Sequence, residues 1–104
     1  ALVEVKNVTL CRDDTSAIFP DAVTLRGQKH LLELAAALKQ GYRAVIFFLV
    51  QRSEATSFSP ADEIDPDYGR LLRQVVAQGV EVLAYKTVVT PEENCVGERI
   101  PVVL

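Results

Sequence analysis

VEVKNVTL (Val3 to Leu10) and FPDAVTLRGQKHLLEL (Phe19 to Leu34) are the stretches on which the fold turns. From Leu2 to Lys6 apolar and polar residues alternate, the period of a half-buried strand. In the second stretch, and just beyond it, Leu31, Leu34, Ala35 and Leu38 recur at helical spacing. Lys39 suits the negative helix end and Gly41 marks the stop. Phe19-Pro20-Asp21 reads as a helix entry with Asp21 as N-cap, which predicts a helix from about Ala22 to Gln40. Between the two stretches, Thr9 to Phe19 is expected to bend at Arg12 to Thr15 and return in extended form.

Downstream, Arg43 to Val50 is rich in β-formers and apolar on both faces, as an inner parallel strand is. Gln51 to Ile64 reads as a polar loop. Asp65-Pro66 is a second helix start, an N-cap followed by proline, and Tyr68, Leu71, Leu72, Val75 and Val76 carry the helical period up to Gly79. Val80 to Thr90 is then a strand, Pro91 to Glu98 a loop, and Arg99 to Leu104 a closing antiparallel strand. This order predicts one α/β domain over residues 1–104, with two right-handed crossover helices and a mainly parallel sheet.

A hydrophobic fraction of 49% suits a globular core, and no apolar run approaches membrane-spanning length. No signal peptide is visible, and Cys11 and Cys95 share no metal-type spacing, so a reducing cytoplasm is expected. The net charge of −3 argues weakly against a free-standing polyanion binder, but the charge is unevenly spread. Ala22 to Arg52 carries Arg26, Lys29, Lys39, Arg43 and Arg52 against Glu33 alone. Ser53 to Glu98 is strongly acidic.

Three groups of residues point to chemistry. Glu4 and Lys6, two apart on a strand, project from one face. They are expected near the C-terminal end of the Arg43 to Val50 strand. A carboxylate there can hold Mg²⁺ while an ammonium positions or polarises a water for attack on a phosphodiester. The ordinary alternative is a surface ion pair, and composition alone predicts about half an acid-x-Lys by chance. Arg26, Lys29, His30 and Glu33 share one helix face, either as a solvated stripe with a Lys29–Glu33 pair or as a phosphate-contacting edge. A lone histidine serves hydrogen bonding more often than catalysis. Gln51 follows the apolar strand at the end where α/β sheets place their sites, and Arg52 follows it. Asp62, Glu63, Asp65 and Asp67 are explained by capping and solvation.

The two opening stretches resemble the most characteristic part of the sugar fermentation stimulation family. VQR (Val50 to Arg52), Asp65-Pro66-x-Tyr68, Gly79-Val80-Glu81 and Pro101-Val102-x-Leu104 follow in family order. The resemblance implies a PD-(D/E)XK, restriction-endonuclease-like fold in which Glu4 and Lys6 match the (D/E)XK element. It also implies DNA binding without marked sequence preference, a link to regulation of sugar utilisation (maltose in particular), and an N-terminal OB-like domain outside this chain. The abrupt start at Ala1, with no Met, predicts a fragment. The metal-binding Asp of the nuclease pattern should precede Glu4, where only Ala1 to Val3 stand. Pro20-Asp21 follows the motif instead.

The leading expectation is therefore a DNA-binding, nuclease-like domain, with Glu4, Lys6 and Gln51 at the catalytic position and Arg26, Lys29 and Arg52 on phosphates. Glu4 alone is expected to offer Mg²⁺ a carboxylate, so metal should bind weakly. A Mg²⁺-dependent phosphodiesterase in the longer protein and a structural interaction module are the alternatives. An unpaired N-terminal strand edge predicts self-association. No Gly-rich phosphate loop or nucleophile elbow points to another enzyme class.

Overall fold

In the computed structural model, which describes residues 1–89 and 94–104, nine elements follow in order. They are β1 (Leu2–Val8), β2 (Leu10–Cys11), β3 (Ser16–Phe19), α1 (Leu25–Lys39), β4 (Ala44–Val50), β5 (Ser57–Pro60), α2 (Pro66–Gln78), β6 (Glu81–Val89) and β7 (Asn94–Arg99). The main sheet has the order β1-β4-β6-β7. β1 and β6 flank β4 in parallel and β7 closes antiparallel to β6. This is the mixed, mainly parallel sheet that the alternation of strands and helices predicts.

A second, three-stranded sheet, β2-β3-β5, was not expected. β5 lies inside the segment read as a polar loop. Ser57 and Ser59 mask it as loop, but Phe58 is fully buried and stacks on Phe48 at a centroid distance of 4.2 Å. The closing antiparallel strand is Asn94–Arg99 rather than Arg99 to Leu104; the latter segment instead makes a parallel bridge from Val102 to Phe58. Thr90 to Glu93, expected as a strand end and the start of a loop, lie outside the described residues.

The α1 entry differs from expectation. Its N-cap is Thr24, in extended conformation, whose hydroxyl accepts from the Gly27 N–H at 2.9 Å. Asp21 is exposed. The reason is tertiary: Asp65 accepts the Thr24 N–H at 3.0 Å and fixes that residue as the first turn. Asp65 itself caps α2 as the sequence predicts, accepting from Tyr68 N–H at 3.1 Å, and Gly79 ends α2 at φ 119°, a left-handed conformation suited to glycine.

The core lies between one face of the main sheet and the two helices. β4 gives Ala44, Ile46, Phe48 and Val50 to it, α1 gives Leu31 and Leu34, and α2 gives Tyr68, Leu72 and Val75. Each fully buried aromatic or branched side chain contributes about 1.5–3 kcal/mol. On the other face, Val3 and Val5 of β1 are 52% and 55% exposed, and Phe47 stacks on Tyr85 at 5.3 Å. β1 is an edge strand among the described residues, with α1 packed across its inner face.

Candidate nucleic-acid interface

β1 faces α1 with its even-numbered residues, and this parity builds the site. Glu4 and Lys6 point to the same, helix-covered side: Glu4 Oε1 lies 3.7 Å from Lys6 Nζ. The strand register sets Glu4 opposite Ile46 and Lys6 opposite Phe48. The pair therefore lies along the middle of β4 rather than close to its C-terminal end. Parallel pairing fixes this, because Val8, not Lys6, is opposite Val50.

His30 completes the cluster from α1. Its Nδ1 stands 2.6 Å from Lys6 Nζ and 3.3 Å from Glu4 Oε1. The three side chains are 31%, 14% and 18% exposed for Glu4, Lys6 and His30, so each is partly withdrawn from water. In the sequence His30 reads as a hydrogen-bonding residue, and nothing in it identifies the partner. The signal that could have found it is its place four residues after Arg26, on the border between the apolar stripe and the polar face.

Tyr68, on α2, lies near enough to Glu4 to feel its charge. Its ring packs edge-on against Phe19 at 5.4 Å and against the backbone of Gly27, where an added Cβ would come within 3.2 Å of the ring and 2.7 Å of Thr24. That close approach explains a glycine inside α1. The Tyr68 hydroxyl is buried and has no partner among the described residues. Burial raises its pKa, and the carboxylates of Asp65 and Glu4 add to the effect. Asp65 is also buried. Burial pushes its carboxyl up, but donors from Thr24, Tyr68 and Gln28 outweigh that and hold it below the usual range.

Around the cluster, most cations are paired. Arg12 pairs with Glu63, Arg43 with Glu81, Arg52 with Glu54, Arg70 with Asp67, Arg73 with Asp62, and Lys86 with Glu98. Arg26 and Lys29 are exposed and form no ion pair among the described residues, so the internal Lys29–Glu33 pair is not made. Arg52 also donates to the Thr9 carbonyl at 3.3 Å, which leaves its guanidinium engaged.

Gln51 is not brought to Glu4 and Lys6. Its amide donates to Asn7 Oδ1 at 3.2 Å, and its carbonyl accepts from the Thr87 hydroxyl at 3.3 Å. Asn7 alternates with Lys6 and projects from the opposite face of β1. The described acids from Glu54 to Glu81, and Glu98, serve as pairs and caps, and among the described residues no three His, Cys, Asp or Glu side chains converge as a metal site. Glu4 is the one carboxylate of the cluster, beside an ammonium. These residues by themselves do not fit a Mg²⁺ ion, which takes hard oxygen ligands in a near-octahedral shell. Among the described residues no helix is long and apolar enough to cross a membrane.

Comparison with known proteins gives a consistent picture. Residues 1–93 match the family described as the sugar fermentation stimulation protein RE domain. A sugar fermentation stimulation protein homolog of Syntrophotalea carbinolica is 62% identical over 102 residues, covering 98% of this chain and 44% of the relative. A homolog of Geobacter sulfurreducens is 63% identical over 100 residues, 96% of this chain and 43% of its own length. The solved structure of Pyrococcus furiosus SfsA in complex with Ca²⁺ superposes with a TM-score of 0.89 at 30% identity, over 98% of this chain and 44% of that one. The chain thus spans less than half the length of the relatives it matches. The restriction-endonuclease-like fold, a mixed and mainly parallel sheet with two crossover helices, is the one observed.

Proposed function

The chain belongs to the sugar fermentation stimulation protein family, and from that premise we propose that it is a DNA-binding, nuclease-like domain acting in a protein that regulates sugar utilisation. The observation that carries this reading is the pair Arg26 and Lys29, exposed and free of ion pairs among the described residues on α1, the helix that carries His30 of the cluster, while most other cations are neutralised by acids. A duplex laid along α1 meets these two cations first. Lys6, deeper and mostly buried, is placed to follow a phosphate inward. Contacts of this kind go to the backbone and carry no base information, so binding is expected without sequence preference and with strong salt dependence.

The test is fluorescence anisotropy with a labelled duplex across a salt series. Arg26→Ala and Lys29→Ala should each lower the slope of log K against log salt by about one. Slopes equal to the parent's would mean that α1 is an ordinary solvated face.

A second reading, Mg²⁺-dependent phosphodiesterase activity in a longer protein, is favoured by one observation: the solved relative is described in complex with Ca²⁺. Glu4 would supply one ligand to such an ion, and further carboxylates would have to come from outside the described residues.

A further inference from the structure

Lys6 carries three protons and no lone pair, so any short contact it makes is a donation. Its shortest contact is to His30 Nδ1 at 2.6 Å, well inside its 3.7 Å separation from Glu4. Nδ1 must therefore be the acceptor, and the ring proton sits on Nε2. An accepting Nδ1 has no proton to offer Glu4 Oε1, although that oxygen is only 3.3 Å away. A lysine two residues from a glutamate on one strand face would ordinarily lean on the carboxylate. Here the imidazole takes the hydrogen bond while the carboxylate keeps only an ion pair at 3.7 Å, and a flexible four-carbon stem loses its freedom. With one proton spent on His30, two remain for oxygens that approach from the Arg26–Lys29 side.

We propose that His30 is a positioning residue: Nδ1 accepts from Lys6 and holds its ammonium, with two protons free, as the inner phosphate-binding group of the α1 face. The hydrogen bond exists whether or not the domain binds DNA; its purpose rests on the DNA-binding reading.

The experiment has two arms on the 104-residue chain. Competitive acylation of amines, read by peptide mass mapping, compares Lys6 with exposed Lys29. Lys6 should react slowly in the parent and rise toward Lys29 in His30→Leu. It should return to slow in His30→Asn, whose side-chain oxygen stands as far from the backbone as Nδ1. Unchanged Lys6 reactivity in His30→Leu overturns the proposal. In the second arm, Lys6→Met and His30→Leu should each lower the salt slope of DNA binding by about one, the double variant no further, and His30→Asn should restore it. Additive losses overturn the proposal. If the labelling responds but the parent does not bind duplex, His30 still positions Lys6 and it is the DNA-binding reading that falls. Should His30→Leu not fold, the single histidine still gives one readable set of ring ¹⁵N resonances in the parent. Lys6→Met should then shift Nδ1 toward its free value, and an unmoved Nδ1 refutes the bond.

Discussion

Removing the Asp65 carboxylate should cost far more than removing an ordinary helix cap. Oδ1 accepts from Tyr68 N–H at 3.1 Å and so caps α2, a contact that contributes about 1 kcal/mol. Oδ2 accepts from Thr24 N–H at 3.0 Å, which fixes the first turn of α1. A charge-assisted bond of this kind contributes about 2 kcal/mol, and the donor is left without it in Asp65→Ala. The Gln28 amide, 3.2 Å from both oxygens, is half-buried and can turn to water, so its loss adds little. The sum is about 3 kcal/mol, a large share of the 5–15 kcal/mol typical of a domain. For a chain of this size that lowers Tm by roughly 15 °C. Urea denaturation of parent, Asp65→Ala and Asp65→Asn measures it. Asp65→Asn should lose about half as much, since one acceptor survives for Tyr68 while an amide NH₂ faces the Thr24 N–H. The sign with pH also follows. Asp65 titrates below its unfolded value of about 3.9, because its hydrogen bonds outweigh burial. Its contribution is therefore present above that pH and lost as pH falls through the folded value. The parent should lose stability more steeply than Asp65→Ala below that point. A loss under about 1 kcal/mol in Asp65→Ala would reduce the residue to a simple cap and refute the bracing of two helices.

Gly27→Ala gains about 1 kcal/mol of helix propensity but drives a methyl into Thr24 and the Tyr68 ring; a net loss in denaturation midpoint is expected, and a net gain would mean that the close approach relaxes freely. Glu63, held down to about 2 mainly by its hydrogen bonds from Arg12, should titrate higher in Arg12→Ala, moving toward the ordinary glutamate range; an unmoved midpoint by NMR contradicts the pairing. β1, an edge strand with Val3 and Val5 exposed, should mediate concentration-dependent association; light scattering at high concentration that still gives 11.4 kDa would refute it. Residues 1–104 should not cleave plasmid with Mg²⁺ or Mn²⁺; cleavage that vanishes in Glu4→Ala would show that local acids complete a metal site after all.

The main sheet was legible because its strands and helices obey their own periods: β4 is a continuous apolar run, and Asp65-Pro66 and Gly79 bracket α2 as local rules require. What escaped reading depends on contacts between distant residues. Asp21 looks like a cap, and Thr24 is the cap because a carboxylate 41 residues later holds it. β5 has only Phe58 to announce it, and that ring is a core residue only once β3 and Val102 lie beside it. The same division runs through the site. Strand parity alone puts Glu4 and Lys6 together, whereas the partner of His30, and the detachment of Gln51 from both, follow from the register of β1 on β4 and the packing of α1.

A domain with a net charge of −3 is an unpromising DNA binder only if its charges act as a sum. They do not, because an ion pair is nearly neutral at a distance, while an unpaired cation presents its full field until salt screens it over about 8–10 Å. Glu54, Asp62, Glu63, Asp67, Glu81 and Glu98 each stand within a salt bridge of an arginine or lysine, and Asp65 is buried under its donors. Most of the acidity of the second half is thus spent locally. Arg26 and Lys29 keep their charge to themselves on the helix that covers Lys6. The pairing makes a further demand that net charge does not. Breaking a remote pair by Arg73→Ala should leave the salt slope of DNA binding unchanged, although it makes the protein more negative by one charge. Arg26→Ala changes the net charge by the same amount and should lower the slope by about one. Equal effects of the two substitutions would show that the total charge, not the free face of α1, governs binding.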